Sequence, residues 1–254
     1  MNPWVGMAII SFLTGLLMLV IFRYTSNQKG IKKVKNTIKA HLLELRLYKD
    51  SLGLSMKAQG NILLANLKYI THSFKPLLVM IVPVVLILIQ MNFWFGYESL
   101  KPGEQTLLKV KLGEGYNPLQ TKLALETDAD VVIETPPLRI EEYGEVNWRI
   151  SSRKRGVHHI HVVIGGERIS KTIATDTKSL SKLSPIKRRK KLLDELFYPV
   201  EAPIKKDSPV KSVEILYPAK SMNLFGLNIH WLIAYFALSI LFGFSFKGIF
   251  KVEI

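Results

Sequence analysis

The chain has 254 residues and no cysteine. Neither a disulfide framework nor a thiolate metal site is therefore available, and the redox compartment cannot be read from thiol usage. Charge is also missing from three long stretches. Asn2–Phe22, Pro76–Tyr97 and Ser221–Phe246 contain no Asp, Glu, Lys or Arg. About 20 apolar residues suffice to cross a hydrocarbon core roughly 30 Å thick, so each stretch is expected to be a transmembrane helix. Catalytic patterns are absent too: no Ser/His/Asp order, no paired carboxylates and no HExxH, so an enzyme is not expected. His158, His159 and His161 lack an acidic or cysteine companion, and exposed strand histidines are a better reading than a metal site. Gly165–Gly166 reads as a hairpin turn with no phosphate-binding pattern around it. Neither a metal nor a cofactor is expected.

Acidic residues are scarce where basic ones gather. Between Arg23 and Lys75, nine lysines and two arginines stand against Glu44 and Asp50, a net charge of +9 beside two apolar spans. The positive-inside rule makes this segment cytoplasmic, and with it the tail carrying Lys247 and Lys251. The first apolar run has no basic stretch before it and no small-residue cleavage site, so it reads as a retained span with its N-terminus outside, not as a signal peptide. The expected location is the cytoplasmic (inner) membrane, multi-pass. Of the total net charge of +15, the share near the cytoplasmic face suits anionic lipid or ribosomal RNA. DNA is not an expected partner.

Five parts follow: a first transmembrane helix (1–23), a basic cytoplasmic helical hairpin (24–75), a second transmembrane helix (76–97), an extracytoplasmic β domain (98–220), and a third transmembrane helix with its tail (221–254). In the hairpin, Ile31, Val34, Ile38, Leu42 and Leu45 recur at helical spacing with lysines on most of the other face. Gly53 interrupts the pattern, and Ser55–Phe74 continues into the second span. Lys32, Lys33, Lys35 and Lys39 are candidates for lipid or ribosome contact. The hairpin is either a solvated spacer that binds headgroups or a surface that receives a client or a ribosome.

The β domain changes period. Gln105–Leu112, Leu119–Glu126, Asp130–Glu134, Glu145–Ser151, Gly156–Ile164, Glu167–Thr175 and Val210–Leu216 are short alternating or β-branched runs separated by turn residues. Their number and spacing predict an immunoglobulin-like sandwich, with Trp148 as a core aromatic. Its own basic run, Lys187–Lys191, argues against an outside location, but long domains translocate largely regardless of charge. Pro185–Phe197 reads as a short basic helix on the outer interface or as a solvated linker helix.

Polar groups within the spans are costly unless they face a partner or water. Arg23 closes the first span, Gln90 and Asn92 lie in the second, and Asn228, His230, Tyr235 and Ser239 in the third. Pro83 is expected to kink the second span. Arg23 is either a snorkelling anchor or a cation facing a hydrophilic groove open to the cytoplasm.

The segments ISFLTGLLMLVIFRYTSNQKGIKK (Ile10–Lys33), SFKPLLVMIVPVVLILIQMNFWFGY (Ser73–Tyr97) and WLIAYFALSILFGFSFKGIF (Trp231–Phe250) resemble the YidC/Oxa/Alb insertase superfamily. They are most similar to its minimal three-span members, the archaeal YidC-like proteins and the Get and EMC subunits of the endoplasmic reticulum. The resemblance covers roughly half of the chain. It implies that the hairpin captures a hydrophobic segment of a nascent or client membrane protein, that a groove beside Arg23 accepts its polar flank, and that the segment then slides into lipid. Only Arg23 matches a groove cation of the family; Gln90, Asn92 and Ser239 are groove candidates from polarity alone. The departure is the β domain, inserted where the minimal members have a short connection; bacterial YidC carries its β-rich domain between a different pair of spans. A second expectation is therefore an assembly subunit of an envelope complex whose β domain binds an extracytoplasmic protein. A third, a sensor whose hairpin signals, lacks any cytoplasmic output domain.

Overall fold

The computed structural model describes residues 2–177, 181–190, 200–224 and 226–253. The chain forms two compact units, one made of residues 4–85 and 232–254, the other of residues 1–3 and 86–231. The first is helical and the second is built around antiparallel β-sheets.

Four helices are present among the described residues: α1 (Pro3–Thr25), α2 (Gln28–Leu47), α3 (Leu52–Phe95) and α4 (Trp231–Phe246). Proline at the first position of α1 fits, because its missing N–H would have no intrahelical partner there. Asn27 caps α2, its side-chain oxygen accepting the Gly30 N–H at 2.9 Å. The lysine-rich pattern of α2 is amphipathic as expected: Ile31 and Val34 are buried, as are Ala58 and Ala65 of α3. The reversal between α2 and α3 is made by Tyr48–Ser51, so Gly53 lies in the first turn of α3 instead of in the connection. From there α3 runs for 44 residues through both Pro76 and Pro83. By length and composition, α1 and α3 are able to cross a membrane.

The third apolar run differs from expectation. Only Trp231–Phe246 is helical, 16 residues, or about 24 Å at 1.5 Å per residue. The part before it forms a β-hairpin in which Met222–Leu224 pairs with Leu227–Ile229. Turn chemistry explains the change: Gly226 has φ +86 and donates its N–H to the Asn223 side chain at 3.1 Å, a geometry in which glycine meets no Cβ clash. Hydropathy alone does not register it.

In the β unit, β1 (Gln105–Leu112), β5 (Glu145–Ser152), β6 (Gly156–Ile164), β7 (Glu167–Thr175) and β9 (Val210–Ile215) fall where alternation placed them, to within a residue. The second and third expected runs are shorter in the fold, β2 (Leu123–Thr127) and β3 (Val131–Ile133), and a further strand, β4 (Leu138–Ile140), was not anticipated. The basic helix expected at Pro185–Phe197 is corrected in its first half: Ile186–Arg188 is a strand, β8, paired antiparallel with β9. Residues 191–197 lie outside the described residues. The small hairpin described above supplies β10 and β11.

One sheet has the order β3-β5-β1-β9-β8, with β4 also pairing with β5; the other is β2-β6-β7. Their inward residues form one core that includes Leu108, Val110, Val146, Trp148, Ile150, Ile160, Val162 and Val213. Trp148 is buried there as expected. Gly165 and Gly166, both at positive φ, make the tight turn between β6 and β7, the conformation that a two-residue hairpin of this twist demands.

The β unit closes on itself where the chain enters and leaves. Tyr97 bridges Ala219, the Glu98 N–H donates to Pro218 O at 2.9 Å, and the Lys220 N–H donates to Gly96 O at 3.1 Å. Entry and exit strands thus lie side by side, which lets a domain of this size be carried in the connection between two helices.

Candidate functional site

Within the helical unit, α1 and α4 meet along small residues. A Cβ placed on Gly15 would come within 2.9 Å of Ser239 O and 3.2 Å of the Gly243 N. Ser11 Oγ donates to Tyr235 O at 3.4 Å, and the Phe12 ring packs edge-on against Phe242 with centroids 5.4 Å apart. Ser11 and Gly15 on one helix, Ser239 and Gly243 on the other, are each four residues apart. This is the small-xxx-small pattern that lets helix backbones approach in an apolar medium. The Tyr235 and Ser239 hydroxyls are buried at this seam without a hydrogen bond of normal geometry.

Beside the seam lies an apolar groove of about 210 Å³ lined by Met18, Leu19 and Phe22 of α1, Met80 of α3, and Phe236, Ile240 and Phe244 of α4. Ser239 contributes to its wall; the groove expected for it was hydrophilic, and this one is apolar. Arg23 is in the last turn of α1, one residue beyond the groove-lining Phe22, exposed and 6.0 Å from the Tyr24 ring centroid. Gln90 and Asn92 are half-buried in the last part of α3 and belong to the β unit. Arg23 and Ser239 are therefore in one compact unit and the two amides in the other.

The far end of the hairpin is more unusual. Leu47 is 73% exposed, Leu52 83% and Met56 71%, with Leu42, Leu43 and Leu54 also exposed. On α2 the apolar stripe is buried at Ile31 and Val34 and exposed at Leu42, while on α3 Leu63, Leu64, Leu67 and Ile70, nearer the second apolar span, are exposed as Leu52 and Met56 are. The signal was in the sequence as Leu42–Leu43 and Leu47, beyond the part of α2 that packs. A contiguous apolar patch on a protein surface marks an interaction site or a hazard.

Of the four lysines expected at the lipid or ribosome contact, Lys32 and Lys35 line a recess with the C-terminal tail. Lys33 and Lys39 are exposed elsewhere on α2.

In the β unit, Lys171 takes a core position on β7 between Ile169 and Ile173, fully buried. Glu201 meets it: its carboxylate accepts hydrogen bonds from Lys171 Nζ, Ser184 Oγ, and the N–H and Oγ1 of Thr172. Burial alone would raise the Glu201 carboxyl, but the Lys171 charge and these donors hold it below the ordinary carboxylate value. Burial lowers the Lys171 ammonium, and Glu201 offsets part of that. The lysine was legible in the sequence as a charge at an inward alternation position; its partner, 30 residues away, was not. Tyr217 is pushed up by burial and accepts the Ala174 N–H at 3.0 Å.

His158 Nε2 pairs with Lys154 O at 2.9 Å. Among the described residues, no three His, Asp or Glu side chains are grouped to hold a metal.

Comparison with family models, curated proteins and solved structures finds no match to this chain. The functional reading therefore rests on the chain's own geometry.

Proposed function

We propose that this protein is a membrane insertase or membrane chaperone of the YidC/Oxa/Alb kind, with α1, α3 and α4 crossing the bilayer and the α2–α3 hairpin on the cytoplasmic side. The observation that carries the reading is the hairpin tip. Six large apolar side chains from Leu42 to Met56 stand exposed within a segment of net charge +9, eleven cations against two carboxylates. Such a surface suits transient capture of an apolar segment beside an anionic membrane, and unbranched Met56 adapts to varied side chains.

Membrane placement is supported by the outward faces of the long helices. Leu77, Leu78, Ile81 and Val82 of α3 and Leu13 and Ile9 of α1 are about half exposed or more, a burden that water does not tolerate and lipid removes. At about 24 Å, α4 falls short of a core roughly 30 Å thick. Bilayers thin around short spans, and local thinning lowers the barrier to transfer of a polar flank. Arg23, directly after groove-lining Phe22, stands where such a flank would enter.

The β unit supports a second reading, an assembly subunit that binds an extracytoplasmic protein. Its strand order resembles that of an immunoglobulin-like sandwich in which the strand beside β1, β9, comes last instead of first and β8 is added outside it at the edge. A recess of about 570 Å³ on that sheet is lined by Lys109, Lys111, Arg188 and Lys211 together with Glu114, Glu145 and Glu214, a mixed-charge surface suited to a polar partner.

The test is site-specific photocrosslinking during synthesis of a short membrane protein, with probes at Arg23 and at Leu47. Crosslinks to the nascent segment from both positions are the expected result, with those from Leu47 reduced by Arg23→Glu. Crosslinks to a stable envelope protein alone would transfer the assignment to the assembly subunit.

A further inference from the structure

The C-terminal tail does not trail away from α4. The Val252 N–H donates to Lys247 O at 3.0 Å and the Lys251 N–H to Gly248 O at 3.1 Å. Val252 is buried, and the Glu253 N–H donates to Gln28 Oε1 at 2.7 Å. These bonds fold the tail against the first turns of α2, and between the two lies an open recess of about 550 Å³, within the range of roughly 300–1,000 Å³ common for small-molecule sites.

Five lysines line it: Lys29, Lys32 and Lys35 from α2, and Lys247 and Lys251 from the tail. Among the described residues Glu253 is the one carboxylate in the lining, and it is already engaged by Lys35 at 3.4 Å. Lys247 Nζ lies 5.1 Å from the Phe244 ring centroid. Among the described residues, Lys29, Lys32 and Lys251 have no carboxylate within ion-pair distance. Five like charges held around one hollow by a folded tail repel one another, and an anion relieves that repulsion.

We propose that this recess binds the phosphate-bearing headgroup of an anionic phospholipid. Its position selects that source of phosphate. The recess starts three residues after the last residue of α1 and one residue after the last residue of α4, so its floor is at the ends of two apolar helices, the depth of lipid headgroups. Lys247 of the recess touches the ring of Phe244, which itself lines the apolar groove beside α1 and α4, where acyl chains have room. The site engages one lipid through lysines of two chain segments distant in sequence. A general attraction of the hairpin to an anionic surface would make no distinction between these lysines and Lys33, Lys39 or Lys49. The inference rests on the membrane placement proposed above but not on the insertase activity.

The experiment uses the full chain purified in a neutral detergent, titrated with phosphatidylglycerol or phosphatidylcholine, with bound lipid counted by native mass spectrometry. One variant carries Lys32→Gln, Lys247→Gln and Lys251→Gln. A control of equal charge loss carries Lys49→Gln, Lys57→Gln and Lys68→Gln. All six positions are exposed, so both proteins should fold, which thermal unfolding in detergent checks. The expected result is one tightly held phosphatidylglycerol, no retained phosphatidylcholine, and affinity weakened on the order of a hundredfold in the recess variant but unchanged in the control. Equal weakening in both variants, or none in either, overturns the proposal. So does displacement of the lipid by glycerol 3-phosphate at equal concentration, which would make the site one for a soluble phosphate. Binding of a short RNA in place of lipid, lost in the recess variant, would also overturn it.

Discussion

Gly15 of α1 lies so close to Ser239 of α4 that a Cβ on the glycine would be 2.9 Å from the serine carbonyl oxygen. The contact is backbone against backbone, with no flexible side chain able to yield. Two helices without a hydrophobic drive between them in lipid associate through such close packing. The same approach forms one wall of the apolar groove that Ser239 lines.

Replacing Gly15 by leucine should therefore separate α1 from α4. Overpacking of this kind costs about 1–3 kcal/mol. Thermal unfolding in detergent should show a lower midpoint, and Gly53→Leu, with nothing within 4 Å of its Cβ position, should show a much smaller change. Equal effects would mean that the seam carries no packing energy.

The buried pair of the β unit gives an asymmetric expectation. Glu201→Ala leaves the Lys171 ammonium in the core without its carboxylate, a loss of about 3–5 kcal/mol. Lys171→Met with Glu201→Leu removes both charges and should recover most of that. A double variant no more stable than Glu201→Ala would show that Ser184 and Thr172, left without their acceptor, dominate the cost.

Glu201 also sets an acid dependence. Its carboxyl is held below the ordinary value in the fold, so the stability it contributes is fully present above the ordinary carboxylate pKa of about 4.3. That contribution is lost as the pH falls through the depressed folded value. The gap in unfolding midpoint between the natural chain and Glu201→Gln should thus be constant from neutral pH to about pH 5 and close at more acidic pH. A gap independent of pH down to pH 2 would remove Glu201 as the titrating group.

At the hairpin tip, Leu43→Ser, Leu47→Ser and Leu52→Ser together should leave stability nearly unchanged, because all three side chains are exposed and exposed substitutions usually stay within about 0.5 kcal/mol each. Crosslinks from the tip to a nascent apolar segment should fall several-fold. Undiminished crosslinking would deprive the client-capture reading of its main support.

The outcome at Pro185–Phe197 shows where a sequence pattern stops being informative. Ile186, Lys187 and Arg188 carry neither a helical stripe nor enough alternation to define a strand; their conformation follows from pairing with Glu214, Val213 and Ser212 of β9. The third apolar run shows the same limit from the other side. Its composition is uniformly apolar, so hydropathy cannot divide it, and the division falls at a hairpin turn made by Gly226 and Asn223. By contrast β1, β6 and β7 were legible to the residue, since strict alternation over eight or nine residues leaves one face for the core.

By itself the sequence determined the apolar runs, the basic hairpin between two of them and the strands with strong alternation, because charge, hydropathy and period are properties of neighbouring residues. Tertiary structure alone decided that Gln90 and Asn92 go with the β unit while Arg23 and Ser239 go with the helices, that Lys171 meets Glu201, and that the tail folds beside α2 at an open lysine recess. Each of these depends on residues far apart in the chain. Backbone pairing and close packing select such partners, and no local pattern encodes them.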